Sequence, residues 1–174
     1  MESISKKGVI VAALAVLVSA AAGAAERNYD FRTRLGCLHP PRRAGDAAAA
    51  TAGETAIDSS WRIVALSGDP VVRHAAADLA DYFAKSMNER VEVSEGGAAG
   101  PKTISIGVAA ETNALTARVV VTADRVRITG ATAREAAQGC YRLEDAMNFR
   151  GLPAVERGER TFTRMFSPRM VHSG

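Results

Sequence analysis

The stretch Arg125–Asn148, RVRITGATAREAAQGCYRLEDAMN, decides how the rest of the chain is read. Its first residues alternate. Val126 and Ile128 point one way and Arg125, Arg127 and Thr129 the other, the pattern of a strand in a half-exposed sheet. Gly130 breaks that strand. Thr132 and Glu135 then stand at capping-box spacing, and Ala136, Cys140, Leu143 and Met147 recur at the helical period. Gly151 falls where a C-terminal cap belongs. The stretch therefore predicts a strand, a glycine turn and a capped amphipathic helix.

Working outward, Arg118 to Thr122 is a second β-rich run, joined to the first by Ala123-Asp124 as a hairpin. Thr103 to Val108 is a strand with Ile104, Ile106 and Val108 on one face, and Val91 to Val93 is a short alternating strand. Ser94 to Pro101, between them, is a glycine-rich loop. Further upstream, Asp69 precedes Pro70 as N-cap and first helical residue. Val72, Ala76, Leu79, Phe83 and Met87 follow at helical spacing, and Asn88 ends the helix. Trp61 to Leu66 is a run of strand formers. The order is β-α-β-β-β-β-α, which predicts an α+β fold: a small mixed β-sheet with two helices packed on it, over residues 61–160. Thr161 to Val171 is β-like but broken by Pro168, so 161–174 reads either as an edge strand or as the start of a following domain absent from this chain.

The N-terminus has another character. Lys6 and Lys7 precede an apolar run from Val9 to Val18, and small residues follow at Ala22-Gly23-Ala24. This is the layout of a secretory signal peptide over 1–25. A membrane anchor is the alternative, but spanning needs about 20 apolar residues, and the run reaches that only by counting the cleavage region. The expectation is a periplasmic or extracellular protein without a stable membrane anchor after signal cleavage. Residues 26–60 are mixed, then rich in alanine, glycine and threonine, and are expected to be a disordered or linker segment. In an oxidising compartment the two cysteines, Cys37 and Cys140, either form one disulfide or remain free thiols with Cys140 buried on its helix. The net charge of +3 is spread along the 174 residues, not clustered, so no nucleic-acid partner is expected.

Several features of the sequence could carry chemistry. A strand, a glycine and a helix N-terminus can hold phosphate, and Val126 to Thr132 is similar to the V-x-I-T-G-A-T opening of short-chain dinucleotide-binding reductases. Arg134, Glu135 and Gln138 stand where the later glycines of such a fingerprint would lie, so a structural turn is favoured. Among three histidines, His74 lies one turn before Asp78, a spacing that could present two metal ligands. No third ligand accompanies them, and a surface polar pair is the expectation. Glu144-Asp145 are adjacent on a helix and point in different directions, whereas a glycosidase needs two carboxylates across a cleft. Cys140 lies on an apolar stripe, where a thiol is inert. No catalytic residue, metal site or cofactor is expected from this chain.

The ordered set of motifs resembles the small N-terminal α/β domain found ahead of the catalytic barrel in secreted glycoside hydrolases of the β-N-acetylhexosaminidase and α-glucuronidase type. The likeness is carried by Ile63-Val64, by Ala75-Ala76-Ala77-Asp78-Leu79-Ala80-Asp81-Tyr82-Phe83, by Ile104-Ser105-Ile106-Gly107, by Ile128-Thr129-Gly130 and by Gly139-Cys140-Tyr141-Arg142-Leu143. Glu135 departs from the family's habit of arginine followed by glycine. The resemblance implies a non-catalytic accessory domain of a carbohydrate-degrading enzyme, truncated before its barrel, which would be the domain's partner together with a glycan. A barrel takes about 250 residues, far more than follow here. The resemblance also makes Arg169, near where the first barrel strand would begin, a candidate sugar contact. A free-standing secreted carbohydrate- or ligand-binding module is the other expectation, and a small metal- or nucleotide-dependent enzyme the third.

Overall fold

The computed structural model describes residues 36–97, 99–109 and 115–164. The chain divides into two units, 1–38 and 39–174, and the fold lies in the second. Its elements are β1 (Glu54–Ala56), β2 (Arg62–Ala65), α1 (Pro70–Ser86), β3 (Glu92–Glu95), β4 (Thr103–Val108), β5 (Thr116–Val121), β6 (Arg125–Gly130), α2 (Ala133–Arg150), β7 (Ala154–Glu156) and β8 (Gly158–Thr163). Six strands form one sheet in the order β3-β2-β4-β6-β5-β8. Pairs among β3, β2, β4 and β6 are parallel, whereas β5 runs antiparallel to both β6 and β8. The fold is the expected α+β class: a mixed sheet with two helices on it.

Alternation along the strands supplies the core. Ile63 and Ala65 of β2, Ile104 and Ile106 of β4, Val119 and Val121 of β5, and Val126 and Ile128 of β6 turn to one face and are buried under the helices. Each large side chain so enclosed contributes on the order of 1.5–3 kcal/mol. Helix α1 begins as its sequence dictates, with Asp69 accepting from Val71 N–H at 2.8 Å and Pro70 in the first turn. It lays Val72, Ala76, Leu79 and Phe83 into the core. Its end is set by Asn88, whose left-handed backbone (φ 54°) lets Glu89 N–H return to the Phe83 carbonyl at 3.0 Å.

Helix α2 sits close on β5 and β6 because two glycines let it. A Cβ at Gly130 would lie 2.0 Å from Ala136 N, and one at Gly139 would lie 2.5 Å from Ile128 Cγ2. Thr132 caps the helix, accepting from Glu135 N–H at 3.3 Å, and Gly151 ends it with φ 69°. The other half of the capping box is replaced. The Glu135 carboxylate is buried and accepts from Arg164, at 2.9 Å from Nε and 2.6 Å from Nη2, fastening the residue after β8 to the start of α2.

The chain before Trp61 departs from the linker expected over 26–60. In its described part, β1 pairs antiparallel with β7, Ile57 is fully buried, and Thr55 Oγ1 donates to the Thr122 carbonyl at 2.7 Å. Arg42 and Arg43 N–H both reach the Ser86 carbonyl, at 2.8 and 2.9 Å. Composition concealed this because the segment attaches through backbone hydrogen bonds and one large apolar side chain, not through an amphipathic face. Residues 161–163 form the edge of the sheet, in β8. Residues 165–174, including Arg169, lie outside the described residues, as does the region expected to be a signal peptide.

Candidate functional site

Among the described residues, polar side chains gather in a groove and along a helix seam, as well as on the open face of the sheet. The first is a groove of about 420 Å³ between α2, β5 and the β1/β7 pair. Val119, Val121, Leu143 and Val155 line it, and Phe149, 97% exposed, stands at its mouth. Its charges satisfy one another. Arg150 Nε donates to Glu54 Oε1 at 2.8 Å, and this bond, with a smaller share from the Thr51 amide, holds the Glu54 carboxyl down to about 2. Arg160 pairs with Glu156. Arg142 lies 3.6 Å from Asp145 and stacks over Phe162, 5.5 Å from the ring centroid.

The second surface is the seam between α1 and α2. Asp78 and Tyr82 lie one turn apart on α1, and Tyr141, Glu144 and Asn148 on α2. Tyr82 OH donates toward the Glu144 carbonyl (3.2 Å) and Asn148 Oδ1 (3.0 Å), tying the helices together. His39 enters from the chain upstream. Its Nε2 lies 2.9 Å from Asp78 Oδ1 and 3.9 Å from Asp81 Oδ2, and its ring meets Tyr82 edge-on at 5.7 Å. Glu144 is 8% exposed, and its Oε1 has no hydrogen-bond partner among the described residues. Burial, and then the negative charges of Asp78 and Asp145, push its carboxyl up to about 8. Burial likewise raises the Tyr82 hydroxyl.

The sequence candidates are scattered over this architecture. His74 is exposed, and Asp78 takes His39 as partner in place of it. No group of three or more His, Cys, Asp or Glu side chains able to hold a metal occurs among the described residues. Glu144 and Asp145 do diverge: the first is buried and the second, at 67%, is exposed. Cys140 is a buried free thiol, raised by burial, and Cys37 is an exposed free thiol. At the Gly130 turn, Ala131 N–H is spent on the Thr116 carbonyl (3.0 Å) and Glu135 N–H on Thr132 Oγ1, which leaves a poor phosphate cradle. Sequence reasoning missed His39 and the burial of Glu144. The signal for Glu144 was its place one turn after Cys140 and beside Leu143, on the flank of the apolar stripe.

With this geometry in hand, comparison with known proteins gives a likeness of fold. No family model matches the chain, and no curated protein sequence matches it. Among solved structures, a GH20 β-N-acetylhexosaminidase from Streptomyces coelicolor A3(2) is similar at a TM-score of 0.55 and 18% identity, over 73% of this chain and 26% of that one. A mutant Streptomyces plicatus β-hexosaminidase in complex with its product GlcNAc matches at a TM-score of 0.56 and 14% identity, over 72% of this chain and 29% of that one. The chain thus spans little more than a quarter of the length of the glycoside hydrolases whose fold it shares in part.

Proposed function

We propose that this chain is the non-catalytic N-terminal accessory domain of a secreted carbohydrate-degrading enzyme of the β-N-acetylhexosaminidase type, with glycosidic cleavage carried by a following domain. The observation that carries the reading is the asymmetry of the fold match: nearly three quarters of this chain corresponds to about a quarter of a hexosaminidase. The tripartite pattern of Met1–Ala25 supports export to the periplasm or beyond. The test is to sequence the gene downstream of codon 174 and to assay the purified chain on a chromogenic N-acetylglucosaminide. The expected result is a contiguous barrel-coding sequence and an inactive isolated chain. Hydrolysis by the isolated chain, or a stop codon with no adjoining hydrolase sequence, would defeat the reading.

A second reading, a free-standing secreted carbohydrate- or ligand-binding module, draws on Phe149. A fully exposed ring at the mouth of a groove is the kind of surface on which a sugar stacks. It predicts saturable glycan binding that is lost in Phe149→Ala. A flat calorimetric titration against a glycan panel would remove it.

A further inference from the structure

Glu144 is difficult to explain from the domain alone. A carboxylate taken out of water without a hydrogen bond is destabilising, and native proteins keep such groups only where something compensates. Among the described residues, the polar groups around Glu144 are already committed or carry the wrong sign. On α1, Asp78 is an anion paired with His39, Asp81 is an anion paired with Lys85 at 2.9 Å, and the single Tyr82 proton is spent on the Glu144 carbonyl and Asn148. On α2, Asp145 is an anion facing solvent. The upstream segment brings His39, turned to Asp78, and Arg42, whose charge acts on Tyr82. Two carboxylates therefore border one seam, the deeper of them with an orphaned oxygen. Tyr141, 40% exposed, lies on α2 three residues before Glu144, about one helical turn away.

We propose that the α1/α2 seam is a receptor for one arginine side chain on the surface of the domain this one packs against, the guanidinium lying between Glu144 and Asp78 and against the Tyr141 ring. This deepens the accessory-domain reading and rests on it. The chemistry selects the occupant. A guanidinium is planar, carries five donors, pairs with carboxylates in a fork and stacks on aromatic rings, so it matches two acceptors and a half-exposed ring. It is also weakly hydrated and loses less than an ammonium on entering a mostly buried site. A metal ion would call for a third protein ligand, which the described residues do not provide. Docking would replace a buried, mostly protonated carboxyl with an ionised carboxylate paired to a cation, so the residue that weakens the isolated domain strengthens the assembly.

The test uses the full chain with 13C-labelled side-chain carboxyls and acetyl-arginine methylamide as the probe, with the citrulline analogue as its uncharged counterpart. The arginine probe should give a saturable shift of the Glu144 and Asp78 carboxyl resonances and of the Tyr141 ring. The citrulline probe should bind about tenfold more weakly, as expected when a charge-assisted pair is lost. Glu144→Gln should abolish the response, and Tyr141→Ala, at a half-exposed position, should reduce it while leaving the fold intact. Equal responses to both probes, or none that saturates, would overturn the proposal. So would a calcium titration that reproduces the shift where arginine does not. The sequence upstream of the fold also carries Arg32 and Arg34, and a displaced Glu144 resonance in Arg32→Gln or Arg34→Gln, without any probe, would show that the chain supplies its own cation and would also overturn it. The gene downstream of codon 174 tests the accessory-domain reading separately, so either idea can fail while the other stands.

Discussion

The two faces of α2 obey opposite rules. Toward the sheet the helix is apolar and so close that Gly130 and Gly139 leave no room for a Cβ, and its one buried charge, Glu135, is answered by Arg164. Toward α1 the same helix presents Glu144, buried at 8% exposure, with Oε1 unpartnered among the described residues and the charges of Asp78 and Asp145 acting on it. Both are glutamates on one helix, nine residues apart in the sequence. The contrast teaches that burial alone does not mark a structural residue. The sheet side pairs its buried charge within the domain, whereas the seam holds a carboxyl that burial pushes up to about 8.

Breaking the finished side should have the largest effect. Arg164→Ala leaves the 2%-exposed Glu135 carboxylate without its cation and should cost about 3–5 kcal/mol in urea denaturation. A loss below about 1 kcal/mol would mean that Glu135 simply protonates or turns to solvent, and the contrast with Glu144 would collapse. Gly139→Val comes next. Its branches would press on Ile128, whose Cγ2 lies 2.5 Å from where a Cβ at position 139 would stand, and overpacking of this kind costs about 1–3 kcal/mol.

Much of this was legible in the sequence because it is written in local chemistry. The Asp69-Pro70 start, Asn88, the Thr132 cap, the Gly151 stop and the β5–β6 hairpin all act within a few residues of themselves. The mixed sheet followed from periodicity in Ile104/Ile106 and Val126/Ile128. What stayed hidden was long-range. Glu54 meets Arg150, His39 meets Asp78, and Glu135 meets Arg164 across separations that no spacing rule covers. The capping box even pointed Glu135 the wrong way, since a buried guanidinium outcompetes a backbone amide for a carboxylate. The short strand β1 escaped because its residues carry almost no apolar pattern.

The seam should answer mutation with the opposite sign. In the folded chain Glu144 titrates near 8, against 4.5 for an ordinary glutamate, so folding favours its protonated form. Its contribution is fully present below pH 4.5 and is lost as the pH rises through about 8. Glu144→Gln removes that slope. Near pH 8 the variant should be more stable than the parent by about 1 kcal/mol, a melting temperature higher by about 2–4 °C, and near pH 4.5 the two should coincide. A variant less stable than the parent at pH 8 would show that the carboxylate has a stabilising partner, and the seam would then resemble the sheet side.

The smallest effect belongs to the groove, which tests whether exposure without polarity carries any information. Phe149 is 97% exposed on α2, so truncating it removes little packing. Phe149→Ala should change stability by less than about 0.5 kcal/mol, with a small gain from the better helix propensity of alanine. The groove's charges would be untouched, because Arg150–Glu54 and Arg160–Glu156 do not depend on the ring. A loss above about 1 kcal/mol would mean that the ring packs against something in solution, and self-association measured by sedimentation would be the next observation to make. A null result leaves Phe149 as surface available to a ligand or partner, in contrast to Glu144, which advertises its need energetically. The two can then be told apart by stability alone, before any partner is in hand.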